Sequence, residues 1–137
     1  MALTHKIQIQ FTSTVGSRSS THTFDLSGTN RLLNINTNGV ITNYSYDVQG
    51  NITQRGGQAF VFDRANRMAS ATGKATYSYD GLGHRSKILF SDGSTRLQIY
   101  SQAGKLLYAT QSAVAGKPAT KTNYIYLHHG LIAEVNQ

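Results

Sequence analysis

The chain has 137 residues, and its 13 lysines and arginines against 6 acids give a net charge of +7. Charged residues are only 14% of it, against roughly 25% in an ordinary soluble domain, and polarity comes instead from 13 Ser, 15 Thr, 9 Asn and 9 Gln. The lack of cysteine excludes a disulfide scaffold, thiolate catalysis and a thiolate metal site, and no apolar run reaches the roughly 18 residues of a membrane span.

The opening Met1-Ala2-Leu3-Thr4-His5-Lys6 lacks the long apolar stretch of a secretory signal. Ile7 to Thr12 then alternates apolar and polar with period two, which predicts a half-buried strand. Ser17 to Thr21 reads as a loop. From there on, one proline, 13 glycines and a preference for Thr, Tyr, Ile and Val predict strands and turns rather than helices. Ala113 to Lys121 reads as a second loop. The chain is expected to be all-β: a single domain, with an N-terminal strand and loop over 1–20 and six hairpin repeats over 21–137.

The repeats come from aligning the chain on itself. Tyr44-Ser45-Tyr46-Asp47 returns as Tyr77-Ser78-Tyr79-Asp80, and more loosely as Phe60-Val61-Phe62-Asp63 and His22-Thr23-Phe24-Asp25. Two degenerate copies follow, Gln98-Ile99-Tyr100-Ser101 and Tyr124-Ile125-Tyr126-Leu127. Three residues beyond the Asp position stand Gly28, Gly50, Asn66, Gly83, Gly104 and Gly130, all residue types that tolerate a left-handed backbone.

The unit reads as a β-hairpin. Aromatic residues two apart share one strand face, Asp at the strand's end caps an Asx-type turn, and the Gly or Asn takes the positive φ of a three- to five-residue hairpin loop. A returning strand brings apolar residues such as Ile52, Met68, Leu106 and Ile132, five residues after the Asp position. One hairpin cannot cover its own face, so neighbours are expected to stack. The paired rings at Tyr44 and Tyr46, Phe60 and Phe62, Tyr77 and Tyr79, and Tyr124 and Tyr126 would then stack across neighbouring hairpins.

Tyr46-Asp47-Val48-Gln49-Gly50-Asn51 and Phe62-Asp63-Arg64-Ala65-Asn66-Arg67-Met68 resemble the YD repeat of the Rhs (rearrangement hotspot) family. The stretch from Tyr124 to Ala133 looks like the last repeat of an Rhs core, and the resemblance covers roughly Thr21 to Gln137. It implies a long array of hairpins spiralling into a β-shell that encloses a toxic domain, or a cell-adhesion role in animal relatives. On this resemblance the chain is expected to be a piece of a larger bacterial Rhs-type protein, or a small free-standing relative, secreted or at the cell surface. Its partners would be further repeats of a parent chain, or copies of itself joined through sheet edges.

Asp25, Asp47, Asp63 and Asp80 occupy one turn position each, so capping accounts for them better than acid–base catalysis. His128-His129 would point to opposite faces of a strand, and His5, His22 and His84 have no zinc spacing, so no metal or other cofactor is expected. No Gly-x-Ser-x-Gly elbow or phosphate loop occurs, and no enzyme is expected. The basic residues Arg31, Arg55, Arg64, Arg67, Lys74, Arg85, Lys87, Arg96 and Lys105 are dispersed, which points away from specific nucleic-acid recognition and leaves weak binding to polyanions, including acidic glycans. An alternative function is carbohydrate binding through exposed tyrosines, with Tyr44 and Tyr77 as the candidates.

Overall fold

A computed structural model describes residues 8–13, 18–25 and 27–137, and among them there is no helix; no helix is therefore long and apolar enough to cross a membrane. The predicted start of the first strand at Ile7, the histidine His5 and the loop residue Ser17 lie outside the described residues. The chain divides into two compact units, Met1–Asn66 and Arg67–Gln137.

The first unit holds β1 (Gln8–Ser13), β2 (Arg18–Phe24), β3 (Leu32–Thr37), β4 (Val40–Tyr46), β5 (Ile52–Arg55) and β6 (Gln58–Phe62). The second holds β7 (Met68–Ala71), β8 (Ala75–Tyr79), β9 (Arg85–Phe90), β10 (Thr95–Tyr100), β11 (Leu106–Gln111), β12 (Thr120–Leu127) and β13 (Gly130–Asn136). Within each unit every strand pairs antiparallel with its chain neighbour. The fold is all-β, an antiparallel meander of hairpins in each unit.

Two predicted loops contain strand residues. Arg18 to Thr21 belongs to β2; all four residues pair with β1, and Ser20 and Thr21 pair with β3 as well. Its serines and threonines suit a strand whose side chains stay partly wet. Thr120 and Lys121 likewise open β12, so the second loop ends at Ala119.

Directly opposite residues share a face of an antiparallel sheet, so the register sorts the side chains. In the second unit Tyr77 lies opposite Ile88, Ile88 opposite Arg96 and Arg96 opposite Gln111. Tyr79, Arg85, Tyr100, Tyr124 and Tyr126 fall on that same aromatic face, and all are half-buried. Leu89, Leu97, Ile99, Ile125 and Val135 fall on the other face and stay exposed. Among the described residues the buried hydrophobics are three alanines, Ala71, Ala75 and Ala109. A sheet one layer thick cannot cover a large side chain from both sides, so order must come from contacts along the face.

Candidate functional site

The repeat turns supply the geometry. At Asp47, Asp63, Asp80 and Ser101 the carbonyl accepts from the N–H three residues on, that of Gly50 (3.2 Å), Asn66 (3.0 Å), Gly83 (3.1 Å) and Gly104 (2.9 Å). Those four residues take φ of 97°, 58°, 88° and 79°, and Gly28 takes 110° in the first turn. Gly130 differs from the expectation: it is the first residue of β13, and the left-handed residue of that turn is His128, with φ 53°. A loop of only His128 and His129 closes between Leu127 and Gly130, so the chain has already reversed before the glycine. The two histidines thus lie in a turn, not on a strand. Among the described residues no three His, Asp or Glu side chains gather where they could hold a metal ion.

The carboxylates bind their own turns. Asp25 Oδ1 accepts from Ser27 N–H (2.9 Å) and Oγ (2.7 Å), and Oδ2 from Thr29 Oγ1 (2.7 Å). The Ser27 hydroxyl and N–H, with Thr29, hold its carboxyl down at about 2. Asp47 accepts from Asn51 N–H and Nδ2, both at 2.9 Å, and the Asn51 side chain chiefly lowers its pKa. Asp63 Oδ1 accepts from Ala65 N–H at 2.8 Å. Asp80 takes Leu82 and His84 N–H at 2.9 Å each and His84 Nδ1 at 3.0 Å. Partial desolvation pushes the Asp80 carboxyl up, and the His84 and Leu82 donors together outweigh it, leaving it lowered. Anions held by fixed donors in this way are stabilised as anions and make poor proton carriers.

Five of these repeat hairpins share a further device, a β-bulge beside the second aromatic. The register shifts between Thr23 and Phe24, Ser45 and Tyr46, Ser78 and Tyr79, Ile99 and Tyr100, and Ile125 and Tyr126. One extra residue on the returning strand, such as Thr53, Ser86 or Leu107, goes unpaired there. A bulge re-aims the neighbouring side chains, and here it stands next to the ring that meets the adjoining repeat.

The joints between repeats are made by one side chain just past each turn. Arg31 lies 5.4 Å from the Tyr46 ring, Arg67 4.7 Å from Tyr79, and Lys105 Nζ 5.0 Å from Tyr126. His84 takes the same place and stacks on Tyr100 at 4.9 Å and 20°. Each reaches from its own turn to the second aromatic of the following repeat. At the remaining joint, where that aromatic is Phe62, Asn51 Nδ2 instead donates to Asn66 Oδ1 at 3.1 Å. Backbone completes the clamp: Arg31 Nη1 donates to Asp47 O at 3.0 Å, and Lys105 Nζ donates to His128 O. In return Tyr46 Oη donates to Leu32 O at 2.9 Å and Tyr79 Oη to Met68 O at 2.8 Å. Both acceptors are the residue immediately after the reaching arginine. Burial pushes the Tyr46 phenol above its ordinary value, with Tyr44 adding to the effect.

The predicted ladder of ring upon ring is therefore a ladder of cation over ring. Among the described residues the stacked ring pair is His84 with Tyr100. Within a unit the rings of successive repeats have one strand between them, and a long basic side chain spans the gap that two planar rings cannot. Of the two glycan candidates, Tyr77 carries the Arg85 guanidinium 4.2 Å from its ring centre, while Tyr44 is half-buried opposite Arg55. Two turns outside the repeat pattern also cap themselves. Asn38-Gly39, with φ of 49° and 87°, closes β3 to β4, and Asp92 Oδ1 accepts from Ser94 N–H (2.8 Å) and Oγ (2.6 Å) before β10. The Asn-Gly and Asp-Gly pairs are the sequence signals that mark them.

No protein-family model matches the chain, and no curated protein matches it.

Proposed function

We propose that the chain is a non-catalytic scaffold, a segment of β-shell of the Rhs/YD-repeat kind that serves secreted or cell-surface bacterial toxins or adhesins. The observation that supports this reading most is the recurrence of a joint from repeat to repeat: a side chain just past each turn reaches the next repeat, and at four of the five joints it meets the second aromatic ring. A site for chemistry is built once; a device repeated along a chain holds that chain in order. The scaffold continues through its sheet edges into further repeats of a parent chain, or into another copy. Among the described residues β13 pairs on one side only, with β12, and a row of free N–H and C=O groups is a template for another strand. Light scattering over a concentration series tests the idea. A dimer or larger assembly is the expected result, and a strict monomer at every concentration would count against edge continuation.

A carbohydrate-binding role rests on Tyr44, whose ring carries no cation from among the described residues, unlike that of Tyr77. On that reading Tyr44→Ala keeps the fold and loses glycan binding on an array. On the scaffold reading it lowers stability with no binding to lose.

A further inference from the structure

Asparagine stands nine times in the chain, and eight of those residues precede Arg, Ile, Thr, Tyr or Gln. Only Asn38 precedes glycine. The turn it occupies demands that pair: φ of 49° and 87° make a two-residue type I′ loop from β3 to β4, with Thr37 opposite Val40. Both turn residues are exposed, and a methyl group placed on Gly39 would meet nothing within 4 Å. The Gly39 nitrogen thus follows an asparagine with no side chain of its own to shield it.

Hydrogen bonds around this dipeptide act in opposite directions. Asn38 N–H donates to Ser19 O at 3.1 Å, and Ser19 N–H donates back to Asn38 Oδ1 at 3.0 Å. The second bond polarises the side-chain carbonyl and stands ready to stabilise negative charge gathering on Oδ1. It makes Asn38 Cγ a better electrophile. Gly39 N–H donates to Asn36 Oδ1 at 2.9 Å. That bond keeps the proton on the nitrogen that would attack, and so holds the reaction back. An activated amide and a restrained nucleophile therefore lie on adjacent residues.

We infer that Asn38 is a self-modification site, deamidating through a succinimide at a rate that Asn36 restrains. Hydroxide removes the Gly39 N–H proton and the nitrogen bonds to Asn38 Cγ. The Cγ–Nδ2 bond then breaks, and ammonia leaves with a proton from water, which restores the hydroxide. Water opens the five-membered ring at either carbonyl, leaving aspartate or isoaspartate. Aspartate keeps an oxygen for Ser19 N–H. Isoaspartate adds a methylene to the main chain of a two-residue loop, so Thr37 and Val40 can no longer stand opposite each other. The site does not rest on the scaffold reading, since it needs only the ends of β2, β3 and β4.

The test incubates the full chain in neutral and in mildly alkaline buffer and follows every asparagine by peptide mapping. Asn38 is expected to turn acidic before any other, faster at the higher pH, with isoaspartate among the products. Asn36→Val suits a strand but removes the acceptor, and should speed the reaction about fivefold. Asn36→Asp keeps an acceptor oxygen and should not speed it. Hydrogen exchange separates restraint from general loosening: Asn36→Val should quicken exchange at Gly39 N–H and leave that at Ser19 N–H unchanged. Should Asn36→Val misfold, Asn36→Ala gives the same comparison. No reaction at Asn38, an earlier reaction at another asparagine, or aspartate without isoaspartate overturns the site. An unchanged rate in the folded variant lacking the acceptor overturns the restraint, as does equal quickening of exchange at Ser19.

Discussion

Tyr79 shows how much one side chain does in a protein without a deep core. Its hydroxyl donates to Met68 O, its ring receives Arg67, and Arg85 lies 5.8 Å from the ring centre. Tyr79→Phe keeps the ring and removes the bond, leaving a part-buried carbonyl short of a donor. Chemical denaturation should register a loss of about 1 kcal/mol. Asp25 offers a test by pH. Its folded pKa is depressed from 3.8 to about 2, so the stability it contributes is complete above the unfolded value and is lost as pH falls through the folded one. Unfolding midpoints should therefore decline across roughly pH 4 to 2. Asp25→Asn, which cannot titrate, should flatten that part of the curve. Equal slopes in the two proteins would show that other carboxylates carry the acid response.

At the scale of the hairpin, the turn glycine meets two demands at once. Gly104 needs φ 79°, and a methyl group placed on it would stand 3.2 Å from His84 Nε2 of the preceding turn. Gly28 needs φ 110° but has nothing within 4 Å. Gly28→Ala should thus cost only the left-handed penalty of about 1–2 kcal/mol, and Gly104→Ala more, because His84 must also leave Tyr100. Thermal melts of the two variants compare them directly. Much of this element could be read in advance. The aromatic pair, the Asp and the Gly or Asn lie within seven residues of one another, and local spacing is what a sequence displays. The joint could not be read, because the reaching residue is Arg, Asn, Arg, His or Lys at successive turns. In the first turn it also sits two places later than in the others, three residues beyond Gly28 at Arg31. Varied identity and shifted position leave no motif, and only the pairing of strands brings the residue to its ring. The stretch from Arg18 to Thr21 was obscured for another reason: its polarity resembles a loop, while its backbone bonds join two strands.

Across a whole unit, strands pair with their chain neighbours and joints link one repeat to the next, so stability should behave as a sum of hairpins and joints. In the second unit, Tyr79→Phe and Lys105→Met disturb joints separated by several strands. Their effects should add within about 0.5 kcal/mol. Arg67→Ala and Tyr79→Phe share one joint and should depart from additivity by more than that. A double-mutant cycle followed by urea denaturation distinguishes the two cases. Equal coupling in both pairs would mean that the face responds as one body instead of joint by joint.

Three of these joints also use main-chain carbonyls as acceptors: Asp47 O, Leu32 O, Met68 O and His128 O. Every amino acid brings the same carbonyl, so a hairpin can be received by a neighbour whatever side chains that neighbour carries at those places. A gene encoding such a chain can therefore duplicate, delete or exchange whole hairpins without rewriting the ones on either side. Drift in repeat sequence and changes in repeat number become separate, and the lineage can vary the length of its array while each junction goes on working.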